Sequence, residues 1–169
     1  MSTTADTTGT MDDSRDDRAT PARLRSLPSR LLSHAGMHAD RLVNEGLARA
    51  DARKWHYAVL VALQESGPAS QATLSRRTGI YRSDLVAVIN ELADRGHVER
   101  APDPGDRRRN VITITAQGSR HLRRLDKVLD DLHEELLAPL LPTERDQFVQ
   151  LLTRLLDHHT QQAPHPPIP

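Results

Sequence analysis

The spacing of apolar residues changes period twice along this chain, and those two changes constrain its fold more than any other feature. From Leu31 to Leu92, Leu, Val, Ile and Ala recur every three or four residues, as on helices that bury one face. After Gly96 the pattern switches. Val98 and the run Val111-Ile112-Thr113-Ile114-Thr115 flank the turn chemistry of Asp103-Pro104-Gly105-Asp106, and their β-branched residues read as a two-stranded hairpin. Helical spacing resumes at Ala116. The chain holds one Trp, two Tyr and one Phe, so a core must come mainly from Leu, Val, Ile and Ala. That favours packed helices over a sandwich, and the expected fold class is mainly α with a small β-hairpin.

Punctuation places the elements. Leu27-Pro28-Ser29 opens a first helix with Ser29 as N-cap, carrying Leu31, Leu32, Ala35, Ala39, Leu42, Val43 and Leu47 over 28–50. A second runs from about Ala52 to Glu65 with Trp55, Val59, Leu60 and Leu63 as its apolar face, ended by Gly67-Pro68. Ser70 caps a short helix through Leu74 to Thr78. Gly79 separates it from a fourth, Arg82 to Arg95, whose Leu85, Val88, Ile89 and Leu92 fall at i, i+3, i+4 and i+7. Beyond the hairpin, a helix from Ala116 uses Leu122, Leu125, Leu129, Leu132, Leu136 and Leu137, and a last one starts at Thr143 with Phe148, Leu151, Leu152, Leu155 and Leu156. The chain therefore divides into a disordered acidic tail (1–22), a first long helix (28–50), a central lobe (52–115), C-terminal helices (116–160) and a loose Pro-rich tail (161–169).

The formal net charge is zero. Taken alone this argues against a nucleic-acid partner, but the average hides a split. Residues 1–20 carry five Asp against two Arg, and 126–157 carry eight acidic against three basic residues, so the middle is positive and densest at Arg107-Arg108-Arg109. The absence of Cys excludes disulfides and thiolate chemistry within the chain. No apolar run approaches the roughly 18 residues of a membrane span and no signal peptide opens the sequence, so a cytoplasmic protein with no membrane partner is expected, nucleoid-associated should a nucleic-acid partner emerge. No Gly-rich phosphate loop, Ser/His/Asp spacing or metal box is present, so neither an enzyme nor a cofactor is expected. His34 and His38 have the i, i+4 spacing of a metal pair, but nothing completes the set, and they read as surface or interface histidines.

Helix, turn, helix, then a hairpin with a basic tip is the order of a winged helix-turn-helix, and double-stranded DNA is the expected partner. The crossing helix would offer Ser70, Gln71 and Arg77. The helix from Arg82 would enter the major groove with Arg82, Ser83, Asp84, Val86, Ala87 and Asn90 outward: Arg82 and Ser83 at phosphates or base edges, Asn90 at adenine, Val86 or Ala87 at a thymine methyl. Asp84, Glu91 and Asp94 oppose phosphate binding unless they point away or accept from a neighbouring Arg. At the tip, one of Arg107, Arg108 and Arg109 suits the minor groove and the others phosphates, with Asp106 placed to orient Arg108.

Gly67-Pro68-Ala69-Ser70-Gln71, Leu92-Ala93-Asp94-Arg95-Gly96-His97-Val98-Glu99-Arg100 and, above all, Asp103-Pro104-Gly105-Asp106-Arg107-Arg108-Arg109 followed by Ile114-Thr115-Ala116-Gln117-Gly118 resemble the MarR family of bacterial transcriptional regulators. The resemblance covers about Leu31 to Leu156. It implies Arg108 in the minor groove held by Asp106, a homodimer built by the first and last two long helices, and a ligand-responsive regulator, more a repressor than an activator, on a pseudo-palindromic operator. Tyr81 stands where a small capping residue is usual and Ala87 where many members carry Arg, which shifts affinity toward the wing. For Trp55 two readings stand: a core anchor, or, with His38, Arg41 and His56, part of a crevice for a small aromatic or anionic effector, as the resemblance implies. Two other functions remain open: an architectural DNA binder without ligand control, and a helical dimer using the winged domain for protein contacts.

Overall fold

A computed structural model describes residues 20–102 and 110–162. The elements are α1 (Ala22–Arg25), α2 (Pro28–Arg49), α3 (Lys54–Ser66), β1 (Ala69–Ser70), α4 (Gln71–Thr78), α5 (Arg82–Asp94), β2 (Val98–Pro102), β3 (Asn110–Ile114), α6 (Ala116–Leu136) and α7 (Pro142–Gln162). Two units separate at Ala39 and Asp40, within α2. In the first, Leu24, Leu27, Leu31, Leu32 and Met37 are all exposed.

The second unit holds the core. The α5 stripe Leu85, Val88, Ile89 and Leu92 is buried as its spacing requires, in one core cluster with Val59, Leu60 and Leu63 of α3, Leu74 of α4, Ile112 of β3 and Leu122, Leu125, Leu129 and Leu132 of α6. Removing each such Leu or Ile from water contributes roughly 1.5–3 kcal/mol. Leu47 of α2 joins this core, and α2 lies so close to α6 at Gly46 that an added Cβ would meet a Leu132 methyl at 2.4 Å. Between α4 and α5 the chain turns at Gly79, whose φ of 70° is cheap for glycine.

Several expectations are corrected. Pro28 is the first residue of α2, so Ser29 lies inside the helix and does not cap it. The buried face of α3 is His56, Val59, Leu60 and Leu63, at i, i+3, i+4 and i+7; Trp55 falls one residue off that stripe and is 48% exposed, so it does not anchor the core. The hairpin is one part of a three-stranded antiparallel sheet, order β1-β3-β2, because Ala69 and Ser70 pair with Ile112 and Val111. Two residues of strand ahead of α4 carry no periodic signal. Thr115 ends no strand: its hydroxyl caps α6, accepting from the Gly118 N–H at 2.9 Å. Ala22 already belongs to a helix, and Gln161 and Gln162 extend α7, where a loose tail was expected. At the start of α7 it is Glu144 that reaches back, accepting from the Leu141 N–H at 2.8 Å.

The lobe is seated on α6 at one joint. The Thr115 N–H donates to the His97 carbonyl at 3.0 Å, its hydroxyl to the Gly96 carbonyl at 2.7 Å, and Gln117 Nε2 to the Arg95 carbonyl at 2.9 Å. These bonds satisfy the carbonyls of Arg95, Gly96 and His97, the stretch that links α5 to β2, while the carbonyls of Glu91, Leu92 and Ala93 at the helix end accept from the Arg95, His97 and Gly96 N–H groups. The backbones approach so closely that a Cβ on Gly118 would sit 2.0 Å from the His97 oxygen. Beside it the rings of His97 and His121 stack, centroids 4.2 Å apart at 14°, each side chain 7% exposed.

Two predictions follow from this joint. Gly118→Ala must push α6 off β2 and lowers unfolding free energy by about 1–3 kcal/mol or more, read by chemical denaturation; an unchanged midpoint would refute the contact. Burial, together with Arg95 and Arg124 and only weakly offset by Asp51, holds His97 below its ordinary 6.5; burial, with His97 and Arg124 next, pushes His121 down to about 4. Because the unfolded chain takes up these protons first, the stability is complete above pH 6.5 and is lost as pH falls toward 4. Melting temperature therefore drops across that window, and drops less steeply in His121→Gln; parallel curves would contradict the assignment.

Candidate nucleic-acid interface

α4 and α5 form the helix-turn-helix. Ser70 caps α4 by accepting from the Thr73 N–H at 3.3 Å, Gln71 is half-buried, and Arg76 and Arg77 at the other end of α4 are exposed. Of α5, the structure places Arg82, Ser83, Asp84, Val86, Ala87 and Asn90 all on the exposed side, opposite the buried stripe. These six side chains share one surface. Ser83 Oγ donates to Asp84 at 3.3 Å, which draws that carboxylate toward its neighbour.

Glu91 is held off this surface. It accepts from Arg53, at the N-cap of α3, and from His56 Nε2 at 2.9 Å. The Arg53 hydrogen bond is the main reason its carboxyl titrates below the usual range. His56 is buried, and burial pushes its pKa down. Its Nδ1 accepts from the Arg53 backbone N–H at 3.3 Å, so the ring's proton sits on Nε2 and is donated to Glu91. One of the three acidic residues of α5 is thereby held by Arg53 and His56 at the start of α3.

Both nitrogens of His56 are thus engaged inside the protein, leaving it nothing to offer an effector. His38 and Arg41 are exposed along α2, and Trp55 is half exposed beside His56. His34 is exposed as well, and among the described residues no group of three or more His, Asp or Glu is placed to hold a metal. The wing strands pair from Val98–Ile114 to Pro102–Asn110. Asp106, Arg107, Arg108 and Arg109 lie outside the described residues.

Sequence reasoning missed two residues of this surface. Arg100 on β2 donates to Asn90 Oδ1 at 2.6 Å, tying the wing strand to the reading helix and fixing which end of the amide faces outward. Only the three-dimensional pairing of β2 beside α5 brings them together. Tyr81, at the N-cap of α5 without a capping side-chain bond, is 80% exposed. The sequence shows a large aromatic where a small capping residue is usual; its exposure is seen only in the structure.

Among the described residues no helix is long and apolar enough to cross a membrane. Residues 45–109 match the model of the MarR family. The chain is 30% identical over 101 residues to the HTH-type transcriptional repressor NicR of Pseudomonas putida, a stretch that spans 60% of this chain and 64% of NicR, just under two thirds. Its fold matches the PcaV transcriptional regulator of Streptomyces coelicolor, solved in complex with its natural ligand, at TM-score 0.67 and 30% identity over 82% of this chain and 97% of that one. It also matches a mutant of Escherichia coli MarR complexed with operator DNA, at TM-score 0.67 and 25% identity over 81% and 99%. With the family model matched over 45–109 and the fold shared with PcaV across 97% of that chain, the chain belongs to the MarR family of transcriptional regulators.

Proposed function

We propose that the protein is a homodimeric, ligand-responsive repressor that binds a pseudo-palindromic operator. The observation that carries the DNA-reading part is the outward face of α5: Arg82, Ser83, Val86, Ala87 and Asn90 are exposed together while Glu91 is withdrawn into a bond with Arg53 and His56. Arg82 and Ser83 lie in the first turn, where the positive end of the helix adds to the attraction for phosphate. Asn90, steadied by Arg100, faces base edges, and Arg76 and Arg77 of α4 serve phosphates. The wing residues Arg107, Arg108 and Arg109 add minor-groove and phosphate contacts, with Asp106 orienting Arg108.

Exposed apolar surface supports the dimer. The N-terminal unit leaves Leu24, Leu27, Leu31, Leu32 and Met37 in water, and α7 contributes no residue to the core while exposing Phe148, Val149, Leu151, Leu155 and Leu156. Apolar rows on this scale mark association surfaces. Two lobes on a two-fold axis read half-sites one helical turn, about 10 bp, apart. An effector that favours a different lobe spacing lowers affinity through a coupling on the order of 1–3 kcal/mol. The repressor NicR and the ligand-bound PcaV are the relatives that support this regulation.

Two substitutions test the reading surface by fluorescence anisotropy on the tightest-binding duplex. Arg108→Ala weakens binding more on A·T-rich than on G·C-rich flanks; equal losses would contradict a minor-groove role. Asn90→Ala costs about 1–3 kcal/mol and relaxes discrimination at a single base position, and Arg100→Ala relaxes the same position with a smaller loss. Discrimination left intact by both would remove Asn90 from the reading face.

A further inference from the structure

A cleft of about 690 Å3 opens at the C-terminal end of α5, the end far from Arg82, between the last turn of α2, the start of β2 and α6. Its apolar wall is Leu125 and Val128 of α6, and the stacked pair His97 and His121 lies beside them. Arg49 and Arg124 also line it. A second concavity of about 590 Å3 lies on the neighbouring stripe of α6, shares Gln117 and Arg124 with the first, and is lined by Arg120, Arg123 and Lys127.

Most of the cations of this double groove have no carboxylate bonded to them among the described residues. Arg95 is neutralised by Asp51, 2.9 Å away, but Arg124 meets only the neutral ring of His121 at 3.2 Å. Arg49, Arg120, Arg123 and Lys127 form no hydrogen bond or ion pair among the described residues. Five cations thus gather on one surface without a carboxylate partner. In addition, His97 Nδ1 is buried with no hydrogen-bond partner, an orphan at the wall of the cleft. A single carboxylate balances one or two of these groups, whereas a ligand with three or four negative charges and a flat ring matches both the charged stripe and the apolar wall. Gln117 to Val128 spans about 16 Å at 1.5 Å per residue, enough for a ring and a short phosphate chain side by side.

We propose that this double groove binds a nucleoside polyphosphate, its base against Leu125, Val128 and the His97–His121 pair and its phosphates along Arg120, Arg123, Arg124 and Lys127. The site stands independently of DNA binding. Its consequence rests on the DNA-reading proposal: a ligand bridging α6 and the end of α5 acts on the joint at Gly118 and alters operator affinity.

Calorimetric titration of the full chain at fixed ionic strength tests the site with ATP, inorganic tripolyphosphate and benzoate as probes. The expected result is one ATP per chain, with tripolyphosphate and benzoate at least tenfold weaker. Arg123→Gln and Arg124→Gln each weaken ATP at least tenfold while circular dichroism and DNA binding without nucleotide stay as in the wild type. Tripolyphosphate as tight as ATP would show a charged strip without a base site. Benzoate tighter than ATP would show a small-acid site, and no saturable ATP binding would show no site; each overturns the proposal. Loss of DNA binding by Arg123→Gln without nucleotide would make the stripe a DNA contact and also overturn it. Because wild-type DNA binding is read separately, failure of the nucleotide site leaves the DNA-reading proposal standing or falling on its own data.

Discussion

The backbone contact between Gly118 and His97 sets the position of the surface proposed to read DNA. At that point α6 lies against the start of β2 with no room for a Cβ, and Thr115 and Gln117 bond the carbonyls of the Arg95–His97 link that follows α5. The place where the chain leaves α5 is thereby fixed to the start of α6 by hydrogen bonds as well as by close backbone approach, and such bonds weaken steeply when their geometry shifts. Since β2 starts at the same place, the wing strands inherit their position from the joint too. The buried His97–His121 stack lies beside it and adds a requirement that both rings be neutral.

Charge is distributed with the same local logic. A chain of zero net charge presents an α5 whose acidic Glu91 is withdrawn by Arg53 and His56, and a stripe of cations on α6 that no carboxylate among the described residues bonds. The first arrangement removes a repulsion from the face expected to meet phosphates. The second creates an attraction for anions at the opposite end of the same lobe, where an occupant would touch the joint that aims α5. Reading surface and groove are thus connected through one short stretch, Arg95 to Gly118.

Much of this was legible in the sequence because it depends on period and punctuation. The α5 stripe, the Ser70 cap and the wing strands followed from apolar spacing and turn chemistry, and the family resemblance from the Asp103–Arg109 and Ile114–Gly118 segments. What the sequence hid depends on tertiary pairing. β1 is two residues long and exists only because Ile112 and Val111 are there to pair with it. His56 looked like a ligand group until Glu91, 35 residues away, took its Nε2. Asn90 gained a fixed amide from Arg100, ten residues on but on another element. The basic stripe of α6 was masked by averaging with the acidic residues that follow it.

Two winged lobes on a two-fold axis, as proposed, should read one symmetrical site. Selection of bound sequences from a random duplex pool by the full chain tests this directly. The expected result is enrichment of an inverted repeat whose half-site centres lie about one helical turn, ~10 bp, apart. A pool that yields no motif, or a single unrepeated half-site bound as tightly as any other sequence, would contradict it.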